Sequence, residues 1–562
     1  MADIIKVLPL SGLDEKGRDC YIVEINNDIF VLDCGTVAPD KTIPGVDFLL
    51  PNAKYLIENK SRLKGYFITH GHDENMAALK YFYKDAPAPI FCSKATRMIM
   101  EKQAEIQGVK VDFHFYEVKP SDEIVVANRK IIFFQTTHNC CYSSAIAIDT
   151  DKGYIVYTGD FIVDYSLKNK AFQFDLKKLS KISEKETFLL LAESKTADKP
   201  GYCSPKHEVA SKVERYFKQD KRLFINCFWQ NIFRIYELVD LCKKYKKKIY
   251  CYNRYSYDIF NMILDIEPSL YPRSDLVTKD NLLRNRKEDT VILILGKGED
   301  LYTEISKIVN KTNDDKRISF EKGDIFLNCA LPTPTLEVIS TRCIDSIYRT
   351  DADVVWIKGK DLSSMHARQD DLKFFLSVLK PKYYLPVRGT YVEMMANAKL
   401  AVSMNVGLTH NSVFIIDNGM ELVFSPEGRA RIVNNEENNI PIEPVIVDGK
   451  AISNIGSEVI EDRRRLGRDG VVIIASTVST KKQRIVCGPD CQMRGFVYVK
   501  EAEPIVKAIV NIYIDEVNKA LASGKKVFTD VEATIKDRVK KFIKRENGRE
   551  QLVHPIVIVG EE

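Results

Sequence analysis

The stretch FITHGHDENMAALKYF places His70 and His72 one residue apart, after a short apolar run and ahead of acidic residues and a helical pattern. Two imidazoles on so short a loop are held close together, and neutral imidazole suits zinc or manganese. Alone, such a pair serves a structural role as readily as a metal. Three other positions favour the metal. His138 follows the apolar run IIFFQTT, Asp160 follows YIVYTG, and Asp33 closes IFVLD. Ligand-type side chains thus recur just past the carboxyl ends of apolar strands, where a sheet protein can bring them to one point. The pattern breaks at Asn75, where a further ligand would be expected.

The elements that must position these residues fall into three stretches. YIVEINNDIFVLD (21–33) reads as two strands joined by an Asn-Asn-Asp turn, and AIAIDTDKGYIVYTG (145–159) as a second hairpin. GYFIT (65–69), IIFFQTT (131–137) and TFLLLAE (187–193) are further strands, with a helical pattern at 74–86. Strands in close succession with few long helices indicate a layered sheet. From about residue 205, strands and helices alternate. LFINCF, IYCYN, VILILG, DIFLNCA and DVVWI are separated by helical spans, including 299–310 and 335–349. That rhythm predicts a doubly wound parallel sheet. YYLPV and a helix at 391–404 follow. VNNEENNIPIEP (433–444) reads as a linker. Beyond it, VVIIAST, RIVCG, FVYVK and PIVIV are short strands around helices at 502–522 and 529–545, a small α+β domain.

Composition narrows the class. The chain has 562 residues, 45% hydrophobic and 29% charged, as in an ordinary soluble globular protein, and is long enough for three or four domains. A net charge of +5 does not by itself argue for nucleic-acid binding, which local basic patches would have to supply. No apolar run is long enough to span a membrane, and the first residues carry no basic-then-apolar secretory pattern. The thirteen cysteines include no CxxC pair, so reduced thiols and a cytoplasmic setting are expected rather than a zinc–thiolate site. KKYKKK and RRRLGRD are basic runs that read first as solvated faces. His114, His207, His410 and His554 read as ordinary surface or core residues.

LDCG (32–35), THGHDEN (69–75), TTHN (136–139) and TGDF (158–161) resemble, in order and spacing, the four metal motifs of the metallo-β-lactamase fold. LLAES followed by KPGY is similar to the acidic first motif of its β-CASP branch. DRRRLGRDG, GPDCQMRGFVYV and HPIVIV, together with residues 363–401, resemble the ribonuclease J family, specifically a degenerate second paralogue. The resemblance implies an α/β protein: a metallo-β-lactamase αββα sandwich over residues 1–204 and 359–432, an inserted doubly wound β-CASP domain at 205–358, a linker at 433–444 and an α+β assembly domain at 445–562.

By the same resemblance, one metal ion would be held by His70, His72, His138 and Asp160. The positions of a second ion fall on Glu74, Asn75, Asp160 and Arg388. Asn75 offers only an amide oxygen, and Arg388 is a permanent cation that repels a metal. One Zn2+ ion is therefore expected, or Mn2+ in its place, and not a second. Glu74, Asp160, Glu193 and His366 are expected at the reaction centre, and Asn231, Arg234, Arg254, Ser364, His366 and Arg388 along an RNA path. Other family positions have changed. Phe233 replaces a histidine, Leu295-Gly296-Lys297-Gly298-Glu299 replaces a Thr-Gly-Ser-Gln-Gly-Glu segment, and Met365 replaces a glycine. The implied function is processing of single-stranded RNA by metal-dependent phosphodiester hydrolysis, with weak or no activity of its own. The alternative is a non-catalytic RNA-binding subunit. The implied assembly is a homodimer, or a hetero-oligomer with an active ribonuclease J paralogue.

Overall fold

The computed structural model describes residues 2–39, 44–449, 451–453, 457–495, 503–548 and 551–560. The chain divides into two compact units, residues 1–37 with 49–445, and residues 38–48 with 446–562.

In the larger unit, two mixed sheets share one core. The first has eight strands in the order 430–433, 421–424, 5–11, 20–25, 28–32, 63–67, 90–92, 115–117. The second has six, in the order 383–387, 187–193, 153–157, 144–150, 129–135, 123–126. Strand periodicity explains the layering: in Arg129–Gln135, Ile131 and Phe133 face the core between the sheets, where they meet Val23 and Phe30, while Ile132 and Phe134 face the other way. That opposite face is covered by the helices Gln369–Leu379 and Leu176–Ser183 through Leu372, Phe375 and Ile182.

The expected alternation after residue 205 forms a third sheet, five strands all parallel, ordered 248–251, 290–296, 223–228, 325–328, 353–356. Helices such as Ile232–Lys244 and Gly298–Val309 bury their apolar stripes on it. Buried parallel strands read as continuous apolar runs, which is how LFINCF and VILILG look.

One helix departs from the sequence reading. Residues 74–86 are not continuous; they form two short helices, Asp73–Met76 and Leu79–Phe82. The break comes where the Ala78 amide leaves the helical ladder and donates to the Cys34 carbonyl. The loop carrying Cys34 thus takes over a backbone bond that the helix would have used.

The smaller unit has its own core. Strands Arg484–Arg494, Val471–Ser479 and Leu552–Val559 lie side by side, and Val472, Ile474 and Val553 pack against Ile509, Tyr513, Ile535 and Val539 of helices Glu503–Ala522 and Thr529–Asn547. RIVCG opens a longer strand than its apolar run suggests; the strand expected at FVYVK lies outside the described residues. All thirteen cysteines are free. No helix among the described residues is long and apolar enough to cross a membrane.

Candidate metal centre

Six strands of the two-sheet layer deliver a polar residue at their carboxyl ends. Asp33 follows Asp28–Leu32, His70 follows Leu63–Phe67, His138 follows Arg129–Gln135 and Asp160 follows Gly153–Tyr157. Glu193 ends its own strand, and Arg388 follows Tyr383–Val387. All six are buried. Two tight passages let these ends converge. A Cβ on Gly35 would stand 1.6 Å from the Glu74 carbonyl oxygen, so only glycine lets that loop cross. Gly159 has φ +57°, and its added Cβ would meet Thr69 at 2.9 Å.

Four donors enclose a point. His70 Nε2 lies 3.1 Å from His72 Nδ1, and His138 Nε2 lies 3.4 Å from the same atom. Asp160 Oδ2 lies 3.6 Å from both His70 Nε2 and His138 Nε2. A tetrahedral ion with ligands at about 2.0–2.1 Å requires ligand–ligand edges of about 3.3 Å, which these separations bracket.

The outward nitrogens set the protonation. His138 Nδ1 faces the Met365 carbonyl at 2.7 Å, and His72 Nε2 faces the Gln230 carbonyl at 3.1 Å. His70 Nδ1 faces Thr69 Oγ1 at 2.9 Å, a hydroxyl that spends its own proton on Asp33. An acceptor outside each ring fixes the N–H there and turns a lone pair inward. Burial, with the neighbouring imidazoles, holds His70 well below the ordinary imidazole range, and burial does the same for His138. Three imidazoles with inward-facing nitrogens beside a buried carboxylate are the donor set a divalent cation takes, and these residues fit one.

Beside this cluster the charge pattern changes. Arg388, fully buried, places Nη2 2.9 Å from Asp160 Oδ2 and 2.9 Å from Asp19 Oδ2, with Nη1 3.8 Å from Asp33. Lys195 Nζ lies 3.4 Å from Glu74 Oε1 and 3.8 Å from Asp160 Oδ2. Burial alone would raise Asp160, but Arg388 and Lys195 overcome it and hold the carboxylate well below its usual range. Burial raises Asp19 to about 7 and Asp33 to about 6 despite the same guanidinium. His366 Nδ1 lies 2.8 Å from Glu193 and 3.6 Å from Asp160; against its own burial, the two carboxylates, Asp160 foremost, push it up to about 9.

Comparison with known proteins bears on what such a centre belongs to. Residues 458–559 match the ribonuclease J C-terminal domain family. Over 554 residues, 98% of each chain, the sequence is 29% identical to ribonuclease J 2 of Staphylococcus epidermidis (strain ATCC 35984). It is 28% identical over the same span to ribonuclease J 2 of Staphylococcus aureus (strain NCTC 8325). Over nearly its whole length the chain is similar to ribonuclease J proteins, and its last hundred residues match their C-terminal domain. A crystal structure of a protein of unknown function from Enterococcus faecalis V583 shares the fold, with a TM-score of 0.52 at 15% identity, over 75% of this chain and 100% of that one.

Within this ribonuclease J-like chain, the expected positions divide. His70, His72, His138 and Asp160 stand together, and Glu193 and His366 adjoin them through Asp160. Glu74 is 4.0 Å from His72 Nδ1. Asn75 donates 2.8 Å to Asp33 instead of facing the centre, and Asp33 itself is spent on Thr69, Asn75 and Tyr157. The expected RNA path is less well served. Arg388 is 0% exposed and enclosed by carboxylates, and Arg234 is 5% exposed and donates to the Cys329 carbonyl, so neither presents its guanidinium to a passing phosphate. Asn231 caps the helix Ile232–Lys244 by accepting from the Arg234 amide. Arg254 stands exposed beside Asp258, and Ser364 lies next to the loop that carries His366. Sequence reasoning missed Asp19 and Lys195. Asp19 precedes its strand instead of following one. Lys195 comes two residues after Glu193, at a strand end like the others, and that was the available signal.

Proposed function

We propose that this chain is an RNA-processing protein of ribonuclease J type, built as a metallo-β-lactamase sandwich (residues 1–204 and 359–432) with a β-CASP insertion (205–358), a linker at 433–444 and an assembly domain at 445–562, and working on single-stranded RNA in the cytoplasm with one metal ion. The observation that carries this reading is the four-donor cluster of His70, His72, His138 and Asp160 with tetrahedral edge lengths. Zn2+, or Mn2+ in its place, held there would supply Lewis-acid chemistry and an activated water for phosphodiester hydrolysis. The chain's own residues do the rest: His366, between Glu193 and Asp160, carries a proton toward the centre, and Glu74, with 31% of its side chain exposed, borders it on the solvent side.

The loss of metal donors at the two positions held by Asn75 and Arg388 supports low activity. Arg388 occupies the space among Asp19, Asp33 and Asp160, and Asn75 is committed to Asp33. Electrostatic stabilisation of the transition state is usually the largest catalytic contribution, and a guanidinium already paired with Asp19 and Asp160 has little charge to spare for it. That same observation favours a second reading, a non-catalytic RNA-binding subunit that pairs with an active paralogue, or with itself, through residues 445–562.

Metal content per purified chain, measured with nuclease activity on 5′-monophosphorylated RNA, tests both. Activity lost in His70→Ala/His72→Ala supports hydrolysis; one bound ion without turnover supports the subunit reading. A chain that neither holds metal nor engages RNA overturns the proposal.

A further inference from the structure

Two cations stand where a second ion's charge would be, and they are not equivalent. Arg388 is sealed at 0% exposure behind Asp19 and Asp160. Lys195 is buried too, at 9% exposure, but unlike Arg388 it is paired with an acid that reaches solvent. Its ammonium lies 3.4 Å from Glu74, whose side chain is 31% exposed, and 3.8 Å from Asp160, the carboxylate that closes the metal cluster. The turn that carries Lys195 is anchored from both sides: Thr196 Oγ1 donates to the Ala367 carbonyl at 2.8 Å, and the Ala197 amide donates to the Ser194 carbonyl. The lysine stem therefore rises from a fixed base, and only its flexible end has freedom.

Resting on the proposed function, we propose that Lys195 is the phosphate-binding cation of this centre: its ammonium exchanges Glu74 for a non-bridging oxygen of an RNA phosphate seated next to the four-donor cluster. The chemistry favours this direction. An ammonium on a four-carbon stem is a point charge with three rotatable donors, able to leave one carboxylate for a phosphate without new geometry. Glu74 can be released because it borders solvent, whereas Asp160 cannot. Arg388 then acts behind it as a positioning residue that fixes Asp160. In this arrangement Glu74 is a built-in competitor for the site, occupying the lysine when no anion is present.

The test uses the full chain loaded with Zn2+ and a 5′-monophosphorylated single-stranded oligoribonucleotide, with binding read by anisotropy over a salt series. Inorganic phosphate serves as a competitor. Lys195→Met is expected to weaken binding about tenfold and to flatten the slope of log K against log salt by about one. Lys195→Arg should stay within about threefold of the parent, and zinc per chain should be unchanged in both. Glu74→Gln should tighten binding about threefold or more, because the competitor loses its charge; a lysine that only neutralises acids would not produce that gain, and this variant carries the test if Lys195→Met fails to fold. Equal affinity of parent and Lys195→Met, or weaker binding by Glu74→Gln, overturns the inference while leaving the RNA-handling function intact. A parent that binds no RNA overturns both.

Discussion

Arg388 Nη2 lies 2.9 Å from Asp160 Oδ2, the same oxygen that lies 3.6 Å from the inward nitrogens of His70 and His138. One carboxylate atom thus faces the candidate metal site on one side and a guanidinium on the other. The arginine also closes on Asp19, and that pair with Asp33 makes three buried acids around one permanent cation. A second dication in that space would meet a positive charge it cannot displace. This is the basis of the proposed one-ion reading of the centre.

Metal stoichiometry follows directly. The purified chain should bind one Zn2+ per molecule by elemental analysis, and none in His70→Ala/His138→Ala. Because an ion that binds only the folded state stabilises it, by about 2.7 kcal/mol at a free concentration 100 times the dissociation constant, a chelator should lower the thermal midpoint of the parent and leave that of the double variant unmoved. Two ions per chain, or none, would refute the reading.

Removing the guanidinium should cost more than removing a ligand. Arg388→Met strands Asp19, Asp33 and Asp160 in a buried space without their cation, and breaking a buried ion pair from one side typically costs about 3–5 kcal/mol. The drop should appear as a lower denaturation midpoint at neutral pH. Arg388→His combined with Asn75→His and Glu74→Asp should instead raise metal content toward two per chain, since it rebuilds a donor set where the cation stood. A triple variant still at one ion would show that some other feature excludes the second.

Much of this centre was legible in the residue order. His70, His138, Asp160 and Glu193 each end an apolar strand, and strand ends on one edge of a sheet must converge. The parallel sheet was legible for a similar reason, since LFINCF and VILILG are apolar throughout. What the order hid were partnerships. Nothing in PVRGTY says that Arg388 turns inward to Asp160 rather than outward to a phosphate; that depends on Asp19, which is 369 positions away in the chain. The break in the helix at Ala78 was hidden likewise, because its cause is a carbonyl on the Cys34 loop. Long-range hydrogen bonds override local periodicity, and a single sequence does not display them.

The loop that brings Asp33 to the centre depends on Gly35. Its added Cβ would sit 1.6 Å from the Glu74 carbonyl oxygen, and the surrounding backbone is pinned by the Asp19 amide donating to that same oxygen and the Cys34 amide donating to Asn75. Gly35→Ala must therefore push two loops apart. It should destabilise the chain by about 3 kcal/mol, at the top of the range for overpacked sites, and should reduce zinc affinity by displacing the backbone that follows His72. Near-parental stability and zinc binding would mean that these loops yield more easily than their hydrogen bonds imply.

A second histidine–carboxylate contact lies away from the metal cluster and gives a pH signature of its own. His207 is 1% exposed, with Nε2 3.3 Å from Asp164 Oδ2, and burial lowers it to about 4. The folded state keeps this imidazole neutral while the unfolded chain takes up a proton near 6.5. Between those values the unfolded state binds more protons, so stability rises with pH across the window and falls as the solution is acidified from about 6.5 toward 4. The full loss is on the order of 3 kcal/mol. Denaturant midpoints of the parent and His207→Phe, compared from pH 7 to pH 4.5, should converge as the pH falls, because the phenylalanine removes the group that titrates while keeping a ring against Phe233. Parallel pH profiles for the two proteins would show that His207 does not carry this dependence.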